Sequence, residues 1–473
     1  MKTKFVRAIV FLLLSVFVLS CFAGCDTNNG TTNTQENTTA PQETEGNKPD
    51  DNTTKPSGKY DLTDYSIVLS SKSMSTATKL AAYELKDYLK GRGFDLPVVR
   101  DSSAAAKGGK SIRMGETAMM VGTMPTGDDY SITDDADGNI QILAGSYYGY
   151  REALRYIRLK GGISKGISQS GNATPALAAK ADGTIRAMFY NVYGWDNWKK
   201  LDGTTASGND APSLALRQDL QRDLFESYQP DVLGFQEYMA DSYHAKFNSV
   251  LTELGYAQVD VSKGSANCTP LFYKKDKLEV VEKGYILYDC SDDTDSKSVT
   301  WAVFREKSSG KLVSVFSTHF MWNMTKDEGA KWDKEREDNA KELVALVNTV
   351  VAKYENIGAI IGGDLNYWNT TAGNSAPAYT VMVNGGLKYM ISMTTAHNRA
   401  TTESYHGYHA YDGSKSIFDT TKNTLTTSKY TLDYIFFGGS KNKTEIKSYY
   451  IISDDITMRA SDHCPTFTDI VLK

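Results

Sequence analysis

The chain opens on a basic start, Lys2, Lys4 and Arg7, followed by an apolar run from Ala8 to Leu19. From Asp26 to about Lys59 it is Asn, Thr, Gln, Glu, Gly and Pro with almost nothing apolar. Alternation between apolar and polar positions begins only after that. Tyr65–Leu69 reads as a short apolar strand, and Ala77–Gly91 carries Leu80, Ala81, Leu85, Tyr88 and Leu89 on one helical face. Gly91 and Gly93 end that helix. Leu96–Val99, Met119–Val121 and Ile140–Leu143 read as further strands, and Tyr147–Leu159 as a second helix. Gly, Ser and Ala from Gly161 to Gly183 mark a boundary.

Beyond Gly183 one arrangement recurs: a short apolar run that ends in polar residues. Ile185–Tyr190 leads into Asn191, and Asp231–Phe235 into Gln236-Glu237. Leu312–Phe316 leads into Ser317-Thr318-His319, and Ile357–Ile361 into Gly362-Gly363-Asp364-Leu365-Asn366. Leu432–Phe437 holds one carboxylate, Asp433, inside an apolar strand. Ser461-Asp462-His463-Cys464-Pro465 precedes a last strand, Thr466–Leu472. Runs this short suit buried strands, whose ends gather at one rim when they share a direction. Arg217–Tyr228 and Lys331–Tyr354, the latter with Leu343, Val344, Leu346, Val347 and Val350 on a stripe, read as intervening helices.

Composition narrows the class. At 473 residues, 40% hydrophobic and 23% charged, the chain is ordinary globular material, long enough for two or three domains. The net charge is −5, and residues 184–473 carry about 31 basic against about 37 acidic side chains, which speaks against a grip on duplex nucleic acid. Five cysteines, two of them in the first 25 residues, make no disulfide framework. Cys268 and Cys290 could pair outside the cell, while Cys464 reads as a small buried side chain. The start has the form of a secretory signal peptide, too short for a transmembrane span. Phe22-Ala23-Gly24-Cys25 resembles the bacterial lipobox, in which Cys25 would be lipidated. The polar tract behind it would be a disordered leash holding the protein at the extracytoplasmic face of the cell membrane.

The expected organisation is a signal peptide at 1–24, a lipidated Cys25 and linker over 25–59, a small α+β domain at 60–161, a linker at 162–183 and a catalytic domain at 184–473. The small domain's order of elements resembles the α+β domain ahead of the catalytic barrel in several bacterial glycoside hydrolases, which implies an accessory role near glycans.

The six strand-end motifs, in this order, resemble the endonuclease/exonuclease/phosphatase superfamily of metal-dependent phosphoesterases. The resemblance implies an α/β fold, a four-layer α/β/β/α sandwich with two mixed sheets face to face and helices outside each. It also implies Mg²⁺, with Mn²⁺ an alternative, because hard divalent cations favour oxygen ligands. Glu237 is the first expected metal ligand, with Asn191 and Asp462 helping to hold the metal or its waters. His463 would touch the phosphate or take a proton, and Asp433 would fix its tautomer. Asp364 would orient or deprotonate the attacking water, Asn366 would donate to a phosphoryl oxygen, and His319 would stabilise the same developing charge. Whether Asp364 or His463 is the base stays open. Family nucleases often carry an acidic residue two positions after the first Asn, where this chain has Tyr193.

Aromatic residues cluster near the motifs: Trp195 after Asn191, Trp322 after His319, Trp368 after Asn366. With His406 they are candidates to line a substrate cleft, suited to sugar faces, lipid headgroups or unstacked bases. The leading expectation is a surface-tethered phosphodiesterase or phosphatase acting on a sugar- or lipid-linked phosphate ester. A secreted Mg²⁺-dependent nuclease is the alternative, with nucleic acid as partner. A non-catalytic glycan-binding lipoprotein is a third.

Overall fold

The computed structural model describes residues 58–72, 74–173, 177, 179–194, 211–238, 245–261, 267–291, 293, 295–322, 329–369, 377–398, 404–405, 418–419, 424–425, 431–453 and 455–473. The first elements in the chain build one six-stranded sheet. They are β1 (Tyr65–Leu69), α1 (Thr76–Lys90), β2 (Val98–Arg100), α2 (Ala104–Gly108), β3 (Lys110–Met114), β4 (Asp129–Asp134), β5 (Ile140–Ala144), α3 (Tyr147–Leu159) and β6 (Ser168–Asn172). The sheet order is β2-β1-β3-β5-β4-β6. Helices α1 and α3 start at serine caps, Ser75 and Ser146, whose side chains accept from backbone N–H groups of the first turn. Their apolar faces supply Leu80, Ala81, Leu85, Leu154 and Ile157, all buried.

Two sequence expectations change here. Met119–Val121 is not a strand but part of a loop between β3 and β4. Glycines at positive φ, Gly115 and Gly122, bracket it. Side chains tie it down: Asp101 accepts from the N–H of Ala118, and Gln141 exchanges two hydrogen bonds with the backbone of Val121. Apolar residues alone did not make a strand, because side chains hold this backbone as a loop. Within the stretch read as a linker, β6 runs antiparallel to β4 as the edge of the sheet.

The later strands are β7 (Ile185–Asn191), β8 (Val232–Gln236), β9 (Tyr256–Gln258), β10 (Leu271–Lys274), β11 (Leu278–Leu287), β12 (Ser298–Glu306), β13 (Leu312–His319) and β14 (Gly358–Asn369). After them come β15 (Lys388–Tyr389), the small ribbon of β16 (Phe418–Asp419) and β17 (Thr424–Leu425), then β18 (Thr431–Gly438), β19 (Thr444–Ile451) and β20 (Thr466–Leu472). They form two six-stranded sheets, β19-β20-β7-β8-β10-β9 and β11-β12-β13-β14-β18-β15. The sheets face each other. Gln236 donates to Ser317 across the gap, and Ser317 donates to the carbonyl of Phe235. A Cβ at Gly362 would run into the Phe189 ring of the opposite sheet, so only glycine lets the sheets close here.

Helices cover the outer faces. The first sheet of this pair packs on α4 (Ala211–Tyr228), α5 (Ala245–Glu253) and α8 (Asp455–Ala460), through Leu220, Leu224, Phe247 and Ile456. The second packs on α6 (Gly329–Lys353) and α7 (Pro377–Asn384), through Trp332, Leu343, Val347 and Met382. The result is the expected α/β/β/α sandwich.

The described residues fall in one compact unit. Ala77, Leu80, Tyr147 and Tyr148 share a core with Leu220 and Leu224 of α4. The N–H of Tyr147 donates to Asp223 (2.7 Å), and Ser227 donates to Asp128 (2.8 Å). Cys268 and Cys290 form no disulfide with each other and both are buried; Cys290 faces Asn339 of α6 inside the core. Cys464 is buried, as expected.

Candidate functional site

Sheet register explains why residues so far apart in sequence meet. β13 and β14 run parallel with His319 opposite Asp364, and β18 runs antiparallel to β14 with Asp433 opposite Asp364. Side chains paired across neighbouring strands stand on the same face, so His319, Asp364 and Asp433 form one polar row. In the facing sheet β7 and β8 run parallel with Asn191 opposite Gln236. That brings Asn191, and Glu237 just beyond β8, to the same rim.

The row and the rim join through hydrogen bonds. Asn191 Nδ2 donates to Asp364 Oδ2 (3.1 Å) and to Glu237 Oε1 (3.2 Å). Its Oδ1 accepts from the N–H of Tyr193 (3.0 Å), which fixes the amide with its nitrogen towards the carboxylates. Asn191 therefore holds the two acids in place and does not offer them an oxygen. Ser461 donates to the carbonyl of Asn191 (2.6 Å) and accepts from the N–H of His463 (3.2 Å), which sets the Ser461-Asp462-His463 turn against β7.

His463 Nδ1 lies 2.8 Å from Asp433 Oδ2, and its Nε2 points towards Asp364 Oδ2 (3.7 Å). Ser404 donates to the same Asp433 oxygen (2.7 Å) and accepts from the N–H groups of Leu432 and Asp433, while its carbonyl accepts from the N–H of Cys464. Tyr405 follows, its ring 4.8 Å from the imidazole. On the other side, Asn366 Nδ2 donates to the Phe320 carbonyl (3.0 Å) and sits 3.0 Å from His319 Nε2. The N–H of Asn366 donates to Asp364 Oδ1 (2.8 Å).

Three of the six non-glycine residues at positive φ among the described residues lie at the same place. Tyr193 (φ 47°), Glu237 (φ 53°) and Asn366 (φ 50°) all occupy the left-handed region that bulky residues avoid. For Tyr193 and Glu237 the cost is about 1–3 kcal/mol, tolerated where the surroundings over-determine the conformation, while Asn adopts this region readily. Asn366 lies in the stretch of β14 where pairing with β18 shifts register, between Asp364 and Asn369.

These side chains line a cavity of about 480 Å³, with Glu237, Asp364, Asp462, His319, Asn366 and His463 in its wall. Asp433 and Asn191 stand behind it as supports. Trp322 stands at the cavity and is 54% exposed. Its neighbour Met321 is pinned by Asn339 and Arg336 of α6. Trp195, His406 and Cys25, and the side chain of Trp368, lie outside the described residues.

The wall is crowded with acids. Burial raises the carboxyl of Asp462 to about 7, with the charges of Glu237 and Asp364 adding to the effect and His463 opposing it. Burial also works against a charged His463, yet Asp433, Asp462 and Asp364 outweigh it and hold the imidazole well above its usual value. For Asp364 burial is outweighed by His463 and by hydrogen bonding, so it stays ionised far below the usual range. Burial raises Asp433, against the pull of His463 and Ser404.

The donor set fits a divalent cation. Ligand atoms of Glu237, His319 and Asp364 lie within 4.8 Å of one another, as do those of Asp364, Asp433 and His463. Like charges packed this closely ask for a counter-cation, and oxygen donors suit a hard one. Tyr193, at the position where family nucleases often carry an acid, gives its N–H to Asn191 and borders the cavity.

Sequence reasoning missed four contributors. Lys297, Ser404 and Tyr405 touch His319, Asp433 and His463, and Arg217, fully buried, holds the carbonyls of Val192 and Tyr193. None of the four left a signal of its own, because each reaches the site through strand pairing, helix packing or loop closure.

Among solved structures the chain is similar to an endonuclease/exonuclease/phosphatase from Bacteroides vulgatus, at 17% identity over 61% of this chain and 99% of that one, with a TM-score of 0.44. It is similar to a mannosyl-6-phosphatase from Bacteroides thetaiotaomicron (19% identity, 61% and 100%, TM-score 0.42). The human Nocturnin catalytic domain with bound sulfate is a third (20% identity, 62% and 97%, TM-score 0.41). No curated protein matches the chain. The profile of the Endonuclease/Exonuclease/phosphatase family, whose members hydrolyse phosphoester bonds with a divalent metal, matches residues 188–463. That match covers more than half of the 473 residues and every polar residue of the cavity wall named above, and the chain belongs to this family.

Proposed function

We propose that the protein is an Mg²⁺-dependent phosphoesterase, tethered through Cys25 to the outer face of a bacterial membrane, that acts on a phosphate ester carried by a sugar or a lipid. The carrying observation is the convergence of Glu237, His319, Asp364, Asn366, Asp462 and His463 on one cavity, with Asn191 and Asp433 hydrogen-bonded behind them. Glu237 and Asp364, with His319 beside them, are the residues that would hold the cation; Asp462 faces the same space. A bound divalent cation supplies charge neutralisation at a non-bridging phosphoryl oxygen.

The remaining work falls to the chain's own side chains. Asp364 Oδ2 is the acceptor that orients an attacking water. His463, kept protonated by the acids around it, gives a proton to the departing alkoxide, and Asp433 aligns its ring. Asn366 Nδ2 and His319 face the phosphoryl oxygens. Trp322 gives a sugar face or lipid headgroup an apolar surface at the cavity. The unit built on β1–β6 is the accessory domain of this reading, and the polar leash sets its distance from the membrane.

Release of nitrophenol from nitrophenyl phosphate and bis-nitrophenyl phosphate, with Mg²⁺ and with EDTA, tests the reading beside Glu237→Ala and His463→Ala. Metal-dependent turnover lost in both variants supports it. Turnover that survives EDTA and both substitutions would sink it.

A further inference from the structure

Lys297 is a cation built into the wall of this cavity, and the described residues around it take only part of its hydrogen-bonding capacity. It directly precedes β12, whose first residue, Ser298, pairs with His319. Its side chain is 4% exposed. The ammonium nitrogen lies 3.0 Å from His319 Nε2 and 3.2 Å from Nδ1. Asp293 Oδ2 is 3.8 Å away, an ion pair beyond hydrogen-bond reach.

An ammonium has three N–H donors. A neutral imidazole offers one lone pair, whichever nitrogen carries the proton, so His319 can satisfy at most one of them. Asn366 Nδ2 competes for the same ring from 3.0 Å. A buried charged donor left without acceptors is costly, and such groups persist where a ligand completes them. Lys297 and Ser296 both border the cavity, so a ligand seated there is within reach of the remaining N–H donors.

The chemistry of the acceptor follows from the other donors. A diester phosphate carries two non-bridging oxygens and one negative charge. A terminal phosphate carries three such oxygens and close to two charges at neutral pH. A cation held by Glu237 and Asp364 would address one non-bridging oxygen and His319 a second. On the reading of this cavity as a phosphoesterase site, we propose that Lys297 anchors the third oxygen of a terminal phosphate and makes a phosphomonoester the preferred substrate. Lys297 supplies both the charge and the N–H donors, since the Nδ2 of Asn366 is already engaged by the Phe320 carbonyl and the His319 ring.

Calorimetric titration of the full chain in Mg²⁺ with inorganic phosphate and with dimethyl phosphate tests this, for the wild type, Lys297→Met, Lys297→Arg and Asp293→Asn. A charge-assisted hydrogen bond lost from a buried site weakens binding by roughly 10–100-fold. Lys297→Met should lose that much affinity for phosphate and change little with dimethyl phosphate. Lys297→Arg should recover part of it, and Asp293→Asn should bind phosphate at least as well as the wild type. Equal losses for both ligands, no loss in Lys297→Met, or a loss in Asp293→Asn matching it would each overturn the proposal, because Lys297 would then only brace Asp293 and His319. The same variants assayed on nitrophenyl and bis-nitrophenyl phosphate should show the monoester rate falling selectively. Phosphate bound through Lys297 without hydrolysis of either ester by the wild type would leave the anchor standing and remove the hydrolase reading.

Discussion

His463 Nδ1 sits 2.8 Å from Asp433 Oδ2, and that oxygen also receives the hydroxyl of Ser404. The arrangement fixes which imidazole nitrogen faces the carboxylate and which faces the cavity. Asp433→Asn keeps the shape but can present an N–H where an acceptor is required. Turnover should fall on the order of 10²- to 10⁴-fold with KM little changed. Steady-state kinetics on a nitrophenyl ester read this directly; a fall confined to KM would assign Asp433 to binding instead.

Asn191 donates to both Glu237 and Asp364, so its loss should be felt through the metal before it is felt through the substrate. Groups that orient metal ligands are typically worth 10–100-fold in affinity. For Asn191→Ala the Mg²⁺ concentration giving half-maximal activity should rise by about that factor, while the rate at saturating Mg²⁺ recovers most of its value. A lowered ceiling with unchanged Mg²⁺ dependence would contradict this role.

The six motifs were legible because the physics behind them is local. An apolar run that stops at Asn191, Glu237, His319 or Asp364 has no reason to place a polar group at a buried strand end unless the group has work there. What the sequence hid came through pairing and loop closure. Lys297 reaches His319 because Ser298 pairs with it, a register no single stretch announces. Ser404 and Tyr405 arrive from a loop and meet His463 through an isolated bridge. The amide orientation of Asn191 depends on the N–H of Tyr193, two residues on, beyond which the chain bends through a left-handed φ. Met119–Val121 failed in the opposite sense: apolar content suggested a strand, but side chains from β3 and β5 bind that backbone as a loop.

Gly362 and Gly363 stand where β14 enters the site. A methyl at Gly362 would press into the Phe189 ring of the facing sheet, and one at Gly363 (φ 148°) would meet the carbonyl of Thr318. Overpacking a closed core costs about 1–3 kcal/mol. Gly362→Ala should lower the melting temperature by several degrees through displacement of Phe189, and Phe189→Leu in the same chain should restore part of it. Thermal unfolding followed by circular dichroism measures both; an unchanged melting temperature in Gly362→Ala would show that the two sheets lie further apart.

Asp223 gives the pH dependence a sign that can be worked out. Its carboxyl is raised from the usual range to about 8, first by burial, then by the charges of Glu226, Asp219 and Asp128, against the N–H of Tyr147. A folded value above the unfolded one means that folding favours the protonated acid. The contribution is fully present below the unfolded value near 4 and drains away as pH climbs through 8. Between those limits each pH unit removes about 1.4 kcal/mol at most. Asp223→Asn cannot ionise and can still accept from Tyr147 through its amide oxygen. Its melting temperature should match the wild type near pH 4 and exceed it at pH 8 by several degrees. The site sits where α3 meets α4, so loss of Asp223 protonation loosens the join between the unit of β1–β6 and the sandwich first. Melting curves of the two proteins that stay parallel across that range would place the proton elsewhere.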